Sequence, residues 1–119
     1  MNNMTHRVFF GDRERDFKIT PKLIAELERQ TGAGVGTLCK RLFAGDFSHA
    51  DIVETIRLGL IGGGAAPIDA STLVAVYAND VPLSESYPLA VSILEALWFG
   101  RSVAQQFTPD ADKPGQPDV

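Results

Sequence analysis

Two histidines and one cysteine are the residues in this sequence most able to do chemistry. His6 and His49 are the only histidines, and Cys39 is the only cysteine. His49-Ala50-Asp51 could contribute to a metal or acid–base site, but nothing near either histidine has metal-ligand spacing. Asp51 more simply supports the start of a helix, where the helix dipole favours a carboxylate. We therefore expect no metal site, no cofactor and no catalytic residue.

Cys39 cannot form a disulfide within the chain, because it has no partner. Lys40 and Arg41 follow it and could lower the pKa of its thiol. Its position on an apolar helix stripe instead favours a buried, inert side chain. No Gly-x-Ser-x-Gly motif is present and no base adjoins Cys39, so the sequence indicates no reaction class. The protein is expected not to be an enzyme.

Two glycine-rich segments deserve comparison with phosphate-binding loops. The segment Gly32-Ala33-Gly34-Val35-Gly36 precedes a helix, but it follows another helix and lacks the strand and the Gly-Lys-Ser/Thr ending. It predicts a helix cap and a tight link between helices. The run at 62–64 also follows a helix and predicts a flexible connector.

A helix-turn-helix is the alternative for residues 35–60. Its reading helix would be 48–61, with Asp51, Glu54, Thr55 and Arg57 on the exposed side. Two acids and one arginine make a poor surface for the major groove. A DNA-binding regulator remains an alternative, although no nucleic-acid partner is expected.

Composition limits the remaining classes. The chain has 119 residues, 45% of them hydrophobic, and a formal net charge of −4. This length suits one domain, and the apolar fraction excludes a wholly disordered protein. The sequence shows no signal peptide, and its longest apolar stretch, 58–68, is broken by three glycines and Pro67. These features favour the reducing cytosol as the compartment, and we expect no membrane partner.

Hydrophobic periodicity and capping residues predict the elements that position these residues. A β-hairpin is expected from His6–Phe10 and Arg13–Ile19, joined by Gly11-Asp12. Five helices should follow. Their predicted extents are Thr20-Pro21 to Gly32, Val35–Ala44, Ser48 to Gly62 with a capping-box-like Asp51, Asp69 or Ser71 to Asn79, and Ser84 to about Phe107.

The predicted fold is mainly α, with an N-terminal β-hairpin followed by about five helices in a small orthogonal bundle. Residues 1–5 are expected to be a flexible N-terminus, 6–107 a single domain, and 108–119 a disordered, acidic, proline-rich tail. The tail carries three acids and one lysine, whereas the preceding 107 residues carry 12 acids and 10 Lys or Arg. The folded part is thus nearly neutral and holds most of the apolar residues.

The order of motifs resembles a known family. The opening HRVFFGDRERDFKIT is followed by L-x-x-x-L-E, G-V-G-T-L and L-F-A-G, then by S-x-x-D-I-V-E-T-I-R-x-G-L-I-G-G-G and a spaced V-P-L. Over residues 7–100 this succession is similar to small proteins encoded beside tail genes in alphaproteobacterial gene transfer agents and related tailed prophages. The family is also described as a tail tube family.

The resemblance implies a tail assembly chaperone of the bacterial (host) cytoplasm, which would coat the hydrophobic, helical tape-measure protein and keep it soluble until the tube polymerises. It implies no catalytic residues. The expected partners are the tape-measure protein and the tail tube protein, with a homo-oligomer also open. A structural tail component retained in the particle is the alternative.

The binding surface is inferred from surplus hydrophobicity. Trp98, Phe99, Phe107, Leu58 and Ile61 could be core residues or an exposed patch, and the sequence leaves both open. Trp98 is the best candidate for a binding hot spot. We place a groove for a helical client between the third and fifth helices. Its predicted residues are Ile56, Leu60, Ile61, Leu94, Trp98 and Phe99.

Overall fold

A computed structural model describes residues 2–102 and confirms a mainly α fold with an N-terminal hairpin. The strands are β1 (Asn2–Asn3), β2 (His6–Phe10), β3 (Arg13–Phe17) and β4 (Arg101–Ser102). The five helices of the described residues are α1 (Pro21–Thr31), α2 (Val35–Ala44), α3 (His49–Gly62), α4 (Pro67–Tyr77) and α5 (Leu83–Phe99). The predicted tail at 108–119 lies outside the described residues.

Strands β2 and β3 form the predicted antiparallel hairpin. Gly11 supplies a φ of 75° at the turn, which places Phe10 opposite Arg13. Phe10 and Phe17 then share one face and pack edge to face, with ring centroids 5.5 Å apart. Phe17 and the following Ile19 are fully buried, so this face of the hairpin belongs to the core.

A second, very short pairing joins the two ends of the described chain. Asn2 lies opposite Ser102 and Asn3 opposite Arg101, in antiparallel register. The sequence does not predict this pairing, because neither dipeptide shows the apolar alternation of a strand.

The helix boundaries follow the predicted capping chemistry at four ends. The Thr20 hydroxyl accepts a hydrogen bond from the Leu23 amide, and Gly32 and Gly45 end their helices in the left-handed region. The Ser48 hydroxyl accepts from the Asp51 amide while the Asp51 carboxylate accepts from the Ser48 amide. This is the capping box, formed with the shorter aspartate.

The start of α4 and the end of α5 differ from the prediction, and α4 also ends at Tyr77, two residues before the predicted Asn79. Helix α4 begins at Pro67, not at Asp69 or Ser71, since proline suits the first helical position. Helix α5 ends at Phe99, because Gly100 adopts φ 70° and ψ 176° and leaves the helical region. The prediction of one helix continuing from Ser84 to Phe107 is therefore wrong, and residues 103–107 lie outside the described part.

Helix α3 is the centre of the fold, as predicted. It contacts α1, α4, α5 and β3. Its buried positions lie on several sides of the helix, as expected of a helix surrounded by others. They are Asp51, Ile52, Thr55, Ile56, Leu58, Gly59 and Leu60.

The glycine run at the end of α3 is a packing site, whereas the sequence predicts a flexible connector. A β-carbon on Gly62 would overlap the carbonyl oxygen of Lys18, and one on Gly63 would overlap that of Asp16. Nearby, the Lys18 amide donates a hydrogen bond of 2.9 Å to the Gly59 carbonyl. The glycines therefore let the hairpin backbone lie directly on α3.

Candidate partner-binding surface

The residues most able to take part in chemistry occupy structural positions. Cys39 is buried on the core side of α2, and this burial raises the pKa of its thiol to about 11. His49 is exposed in the first turn of α3. Among residues 2–102, no group of three or more His, Cys, Asp or Glu side chains could hold a metal ion.

Asp51 organises the junction between α2 and α3. Its carboxylate oxygens accept hydrogen bonds of 2.8 and 2.7 Å from Arg41 Nη2 and one of 3.0 Å from the Ser48 amide. The side chain is almost fully buried. Removing one partner of a buried, hydrogen-bonded pair is strongly destabilising, so Asp51 has a structural role at the start of α3, as predicted.

The surface predicted for a helix-turn-helix is different in the structure. Asp51 and Thr55, expected on the exposed side of α3, are fully buried. Thr55 donates its hydroxyl hydrogen to the Asp51 carbonyl at 2.7 Å. Glu54 and Arg57 pair with each other at 2.6 Å. The predicted reading face is therefore wrong, because α3 is surrounded by the other elements.

The six predicted partner residues separate into two groups. Ile56, Leu60 and Leu94 are at most 1% exposed and form part of the core. A groove lined by these three side chains does not exist, so this part of the predicted surface is wrong. The additional apolar side chains of α3 pack within the core, because this helix contacts α1, α4, α5 and β3. Leu58 is buried for the same reason. Ile61 is only partly buried.

Trp98 and Phe99 are exposed, with relative solvent accessibilities of 58% and 68%. They lie one turn beyond Glu95, which is also exposed. Because positions three and four apart are neighbours on a helix, Glu95 lies between the two aromatic residues on one side of α5. The same spacing extends this side toward the start of the helix. We call it the α5 face, formed by Glu85, Pro88, Ser92, Glu95, Trp98 and Phe99.

A groove adjoins the N-terminal half of the α5 face. It has a volume of about 590 Å³ and lies between β2, the end of α4 and α5. Glu85, Pro88 and Ser92 belong to both features, so the groove and the α5 face form one continuous surface. We call it the hairpin groove; its other lining residues include Phe9, Phe10, Tyr77, Val81 and Leu89.

The sequence prediction missed the hairpin groove. Phe9 lies opposite Glu14 on the outer face of the hairpin and is 61% exposed. The period-2 alternation could have shown this, since Phe9 has the opposite parity to the buried Phe10. The position of Tyr77 beneath the turn, with its ring 5.8 Å from that of Phe10, depends on tertiary packing.

Helix α4 presents a second apolar face. Ile68 and Val76 lie two turns apart on one side and are 76% and 55% exposed. Thr72, also exposed, lies between them. Asp69 is the only charged residue of this helix. The side formed by Ile68, Thr72 and Val76 therefore carries no charge.

The charges of the chain are unevenly divided. Residues 58–100 contain four acids, Asp69, Asp80, Glu85 and Glu95, and no Lys or Arg. Residues 1–57 contain nine Lys or Arg and eight acids. None of the four acids forms an ion pair within residues 2–102. Residues 58–100, which include α4 and α5, are thus largely apolar, and all their charged side chains are acidic.

Comparison with protein families decides the broad class. Residues 3–100 match the model of a family described as "Phage tail tube protein, GTA-gp10". The chain belongs to this family. The match covers nearly all the described residues, including the α5 face and the hairpin groove. Membership of the GTA-gp10 family makes the chain a phage-tail-related protein.

Other comparisons add no relative. No match was found among curated proteins or among solved structures. Within the described range, none of the helices has both the length and the apolar character needed to span a membrane.

Proposed function

We propose that this chain is a tail assembly chaperone that binds the tape-measure protein in the host cytoplasm and keeps it soluble during tail assembly. The observation that carries the proposal is the α5 face, where Trp98 and Phe99 stand exposed side by side on a regular helix. Contiguous exposed apolar side chains of this kind mark sites of protein interaction.

The geometry suits a helical client. Burying a large apolar side chain stabilises a complex by about 1.5–3 kcal/mol. Trp98 and Phe99 could therefore act as anchors, with the hairpin groove receiving further apolar side chains of the same client. A helix that lays its apolar side into a groove is a recurring mode of peptide recognition.

The proposed role is non-catalytic. The only thiol, that of Cys39, is buried and its pKa is raised to about 11, so it is a poor nucleophile at neutral pH. Asp51 is committed to Arg41 and Ser48. These observations favour a binding role over an enzymatic one.

Co-purification tests the proposal. The tagged chain is co-expressed with the tape-measure protein from the same genome, and the yield of the complex is measured. We expect a stable complex with the wild type and a loss of about tenfold or more in yield for Trp98→Ala/Phe99→Ala, since hot-spot truncations cost about 2 kcal/mol or more. Phe43→Ala, at an exposed aromatic of α2, is the matched control and should leave the yield unchanged.

Two results would count against the proposal. Absence of any complex with the wild type would contradict the chaperone function. An unchanged yield from a folded double variant would contradict binding through the α5 face. Circular dichroism of both variants distinguishes lost binding from lost folding.

A structural tail component is the second candidate, and the description of the family as a tail tube protein favours it. In that role the tail tube protein and further copies of this chain would be the partners. Quantitative proteomics of purified particles distinguishes the two. A chaperone should be absent or present in traces, whereas a structural component should be present in a fixed ratio to the tube.

A further inference from the structure

The exposed acids of α5 lie among its exposed apolar residues. Glu95 is flanked by Trp98 and Phe99, and Glu85 stands at the rim of the hairpin groove. Ten residues of helix separate the two carboxylates along α5, a rise of about 15 Å. Each acid thus lies beside an apolar site at one end of the surface: Glu95 beside the two aromatic side chains, and Glu85 beside the hairpin groove.

Among the side chains that the structure describes, neither carboxylate has a partner of opposite charge. Glu85 and Glu95 form no ion pair with any residue that the structure describes. By contrast, acids of the first half are engaged: Glu26 with Arg29 at 2.6 Å, and Asp16 with Arg7 at 2.8 Å. The α5 face therefore presents two uncompensated negative charges.

We propose that the α5 face and the hairpin groove together bind a basic amphipathic helix. The partner's apolar stripe would lie on Trp98, Phe99 and the groove, and two Lys or Arg side chains about three turns apart would pair with Glu95 and Glu85. A cation near Glu95 could also contact the ring of Trp98, which adds a cation–π interaction. The inference rests on the proposed function and specifies which segments of the client are bound.

Charge complementarity favours this occupant over the chain's own tail. Residues 103–119 contain three acids and one lysine. A segment with net negative charge would be repelled by an acidic surface, because like charges disfavour close approach. Charge therefore disfavours residues 103–119 as the occupant of the α5 face.

A second copy of the chain fits less well for a similar reason. Two α5 faces brought together would place Glu85 and Glu95 against acids of the same kind. The exposed side of α2 offers one cation, Lys40, beside Phe43, while Arg41 is held by Asp51. Through α2, a second copy would thus supply one of the two cations that the α5 face requires. Through α1 it would also supply one, Lys22, because Arg29 pairs with Glu26.

Designed peptides test the proposal directly. The first probe is a peptide of about 18 residues, close to the length of α5, with Leu on one helical stripe and Lys along both borders of that stripe. The second has Glu in place of every Lys. A third has the residues of the first in an order that abolishes the stripe. Trp98 is the only tryptophan of the chain, so its fluorescence reports binding at the α5 face.

We expect the Lys peptide to bind at least about tenfold more tightly than the Glu peptide at low ionic strength, and the difference to shrink as salt is added. The reordered peptide should bind weakly. Glu85→Gln/Glu95→Gln should reduce the preference to less than about threefold, because its electrostatic source is removed. Glu26→Gln on α1 is the matched control and should keep it. Glu85→Lys/Glu95→Lys should reverse the preference toward the Glu peptide.

Several results would contradict binding of a basic amphipathic helix. Equal affinity for the Lys and Glu peptides, or a preference that survives in folded Glu85→Gln/Glu95→Gln, would contradict the proposal. A dimer detected by light scattering that dissociates on Trp98→Ala would contradict the proposal and assign the α5 face to a second copy. If the chain captures the tape-measure protein but binds the Lys and Glu peptides equally, this inference fails and the chaperone function stands. If the chain binds neither the tape-measure protein nor the Lys peptide, both proposals fail.

Discussion

The carbonyl oxygen of Lys18 lies where a β-carbon on Gly62 would have to be placed. The hairpin therefore reaches the core only because α3 ends in residues without side chains. The hydrogen bond from the Lys18 amide to the Gly59 carbonyl fixes the same contact one turn earlier. This backbone-on-backbone contact sets the position of β3, and with it the position of β2 over the hairpin groove.

Substitution of Gly62 tests this contact. Gly62→Ala should lower the free energy of unfolding by about 3 kcal/mol or more, because the new methyl group meets backbone and not a flexible side chain. Gly36→Ala is the matched control: it lies inside α2 with no atom within 4 Å of the added carbon. It should be neutral or stabilising by up to about 1 kcal/mol. Thermal unfolding of both variants is the measurement, and equal melting temperatures would contradict the packing role.

Asp51 should be the most important carboxylate for stability. Asp51→Ala removes the capping box and leaves Arg41 without its partner, so we expect a loss of about 2–4 kcal/mol in urea unfolding. The neighbouring Asp46 is exposed and forms no ion pair within the described residues. Asp46→Asn should therefore change stability by less than about 0.5 kcal/mol. A loss as small for Asp51→Ala would show that the buried pair does not hold α2 against α3.

The Cys39 thiol should be unreactive in the native protein. Because burial raises its pKa from 9.0 to about 11, the folded state keeps its proton at a pH where the unfolded state loses it. The free energy of unfolding should therefore fall as pH rises between these two values. Cys39→Ala should show a smaller fall over the same range. Labelling by a thiol reagent at pH 8 should be slow in buffer and fast in denaturant, and rapid native labelling would contradict the burial.

Stability measurements distinguish the core residues of the predicted groove from its exposed residues. Leu94→Ala should cost about 2–5 kcal/mol, since it opens a cavity in the core. Trp98→Ala should cost less than about 1 kcal/mol, because most of the ring already faces solvent. Comparable losses for the two variants would contradict the placement of Trp98 on the surface.

The sequence predicted what depends on local chemistry. Thr20, Ser48 with Asp51, and Gly32 and Gly45 mark helix ends because capping involves residues within one turn of each other. The hairpin follows from alternation and a Gly-Asp turn. These features need no knowledge of the rest of the chain.

The candidate site was only partly predictable, because exposure depends on which elements meet. Ile56 and Leu60 have the same residue types as a binding stripe, and only the positions of the elements around α3 show that they are core. Trp98 was identified by its size, whereas the groove beneath Phe9 was not, since it forms between segments distant in sequence. The end of α5 at Gly100 was also missed, because a glycine can interrupt a helix or be tolerated within it.

The soluble fraction of the tape-measure protein is the most direct test of the proposed function. It should be measured after expression alone, with this chain, and with Trp98→Ala/Phe99→Ala. The chaperone proposal predicts that the wild-type chain raises the soluble fraction several-fold and that the double variant does not. A soluble fraction that is the same with and without the wild-type chain would contradict it.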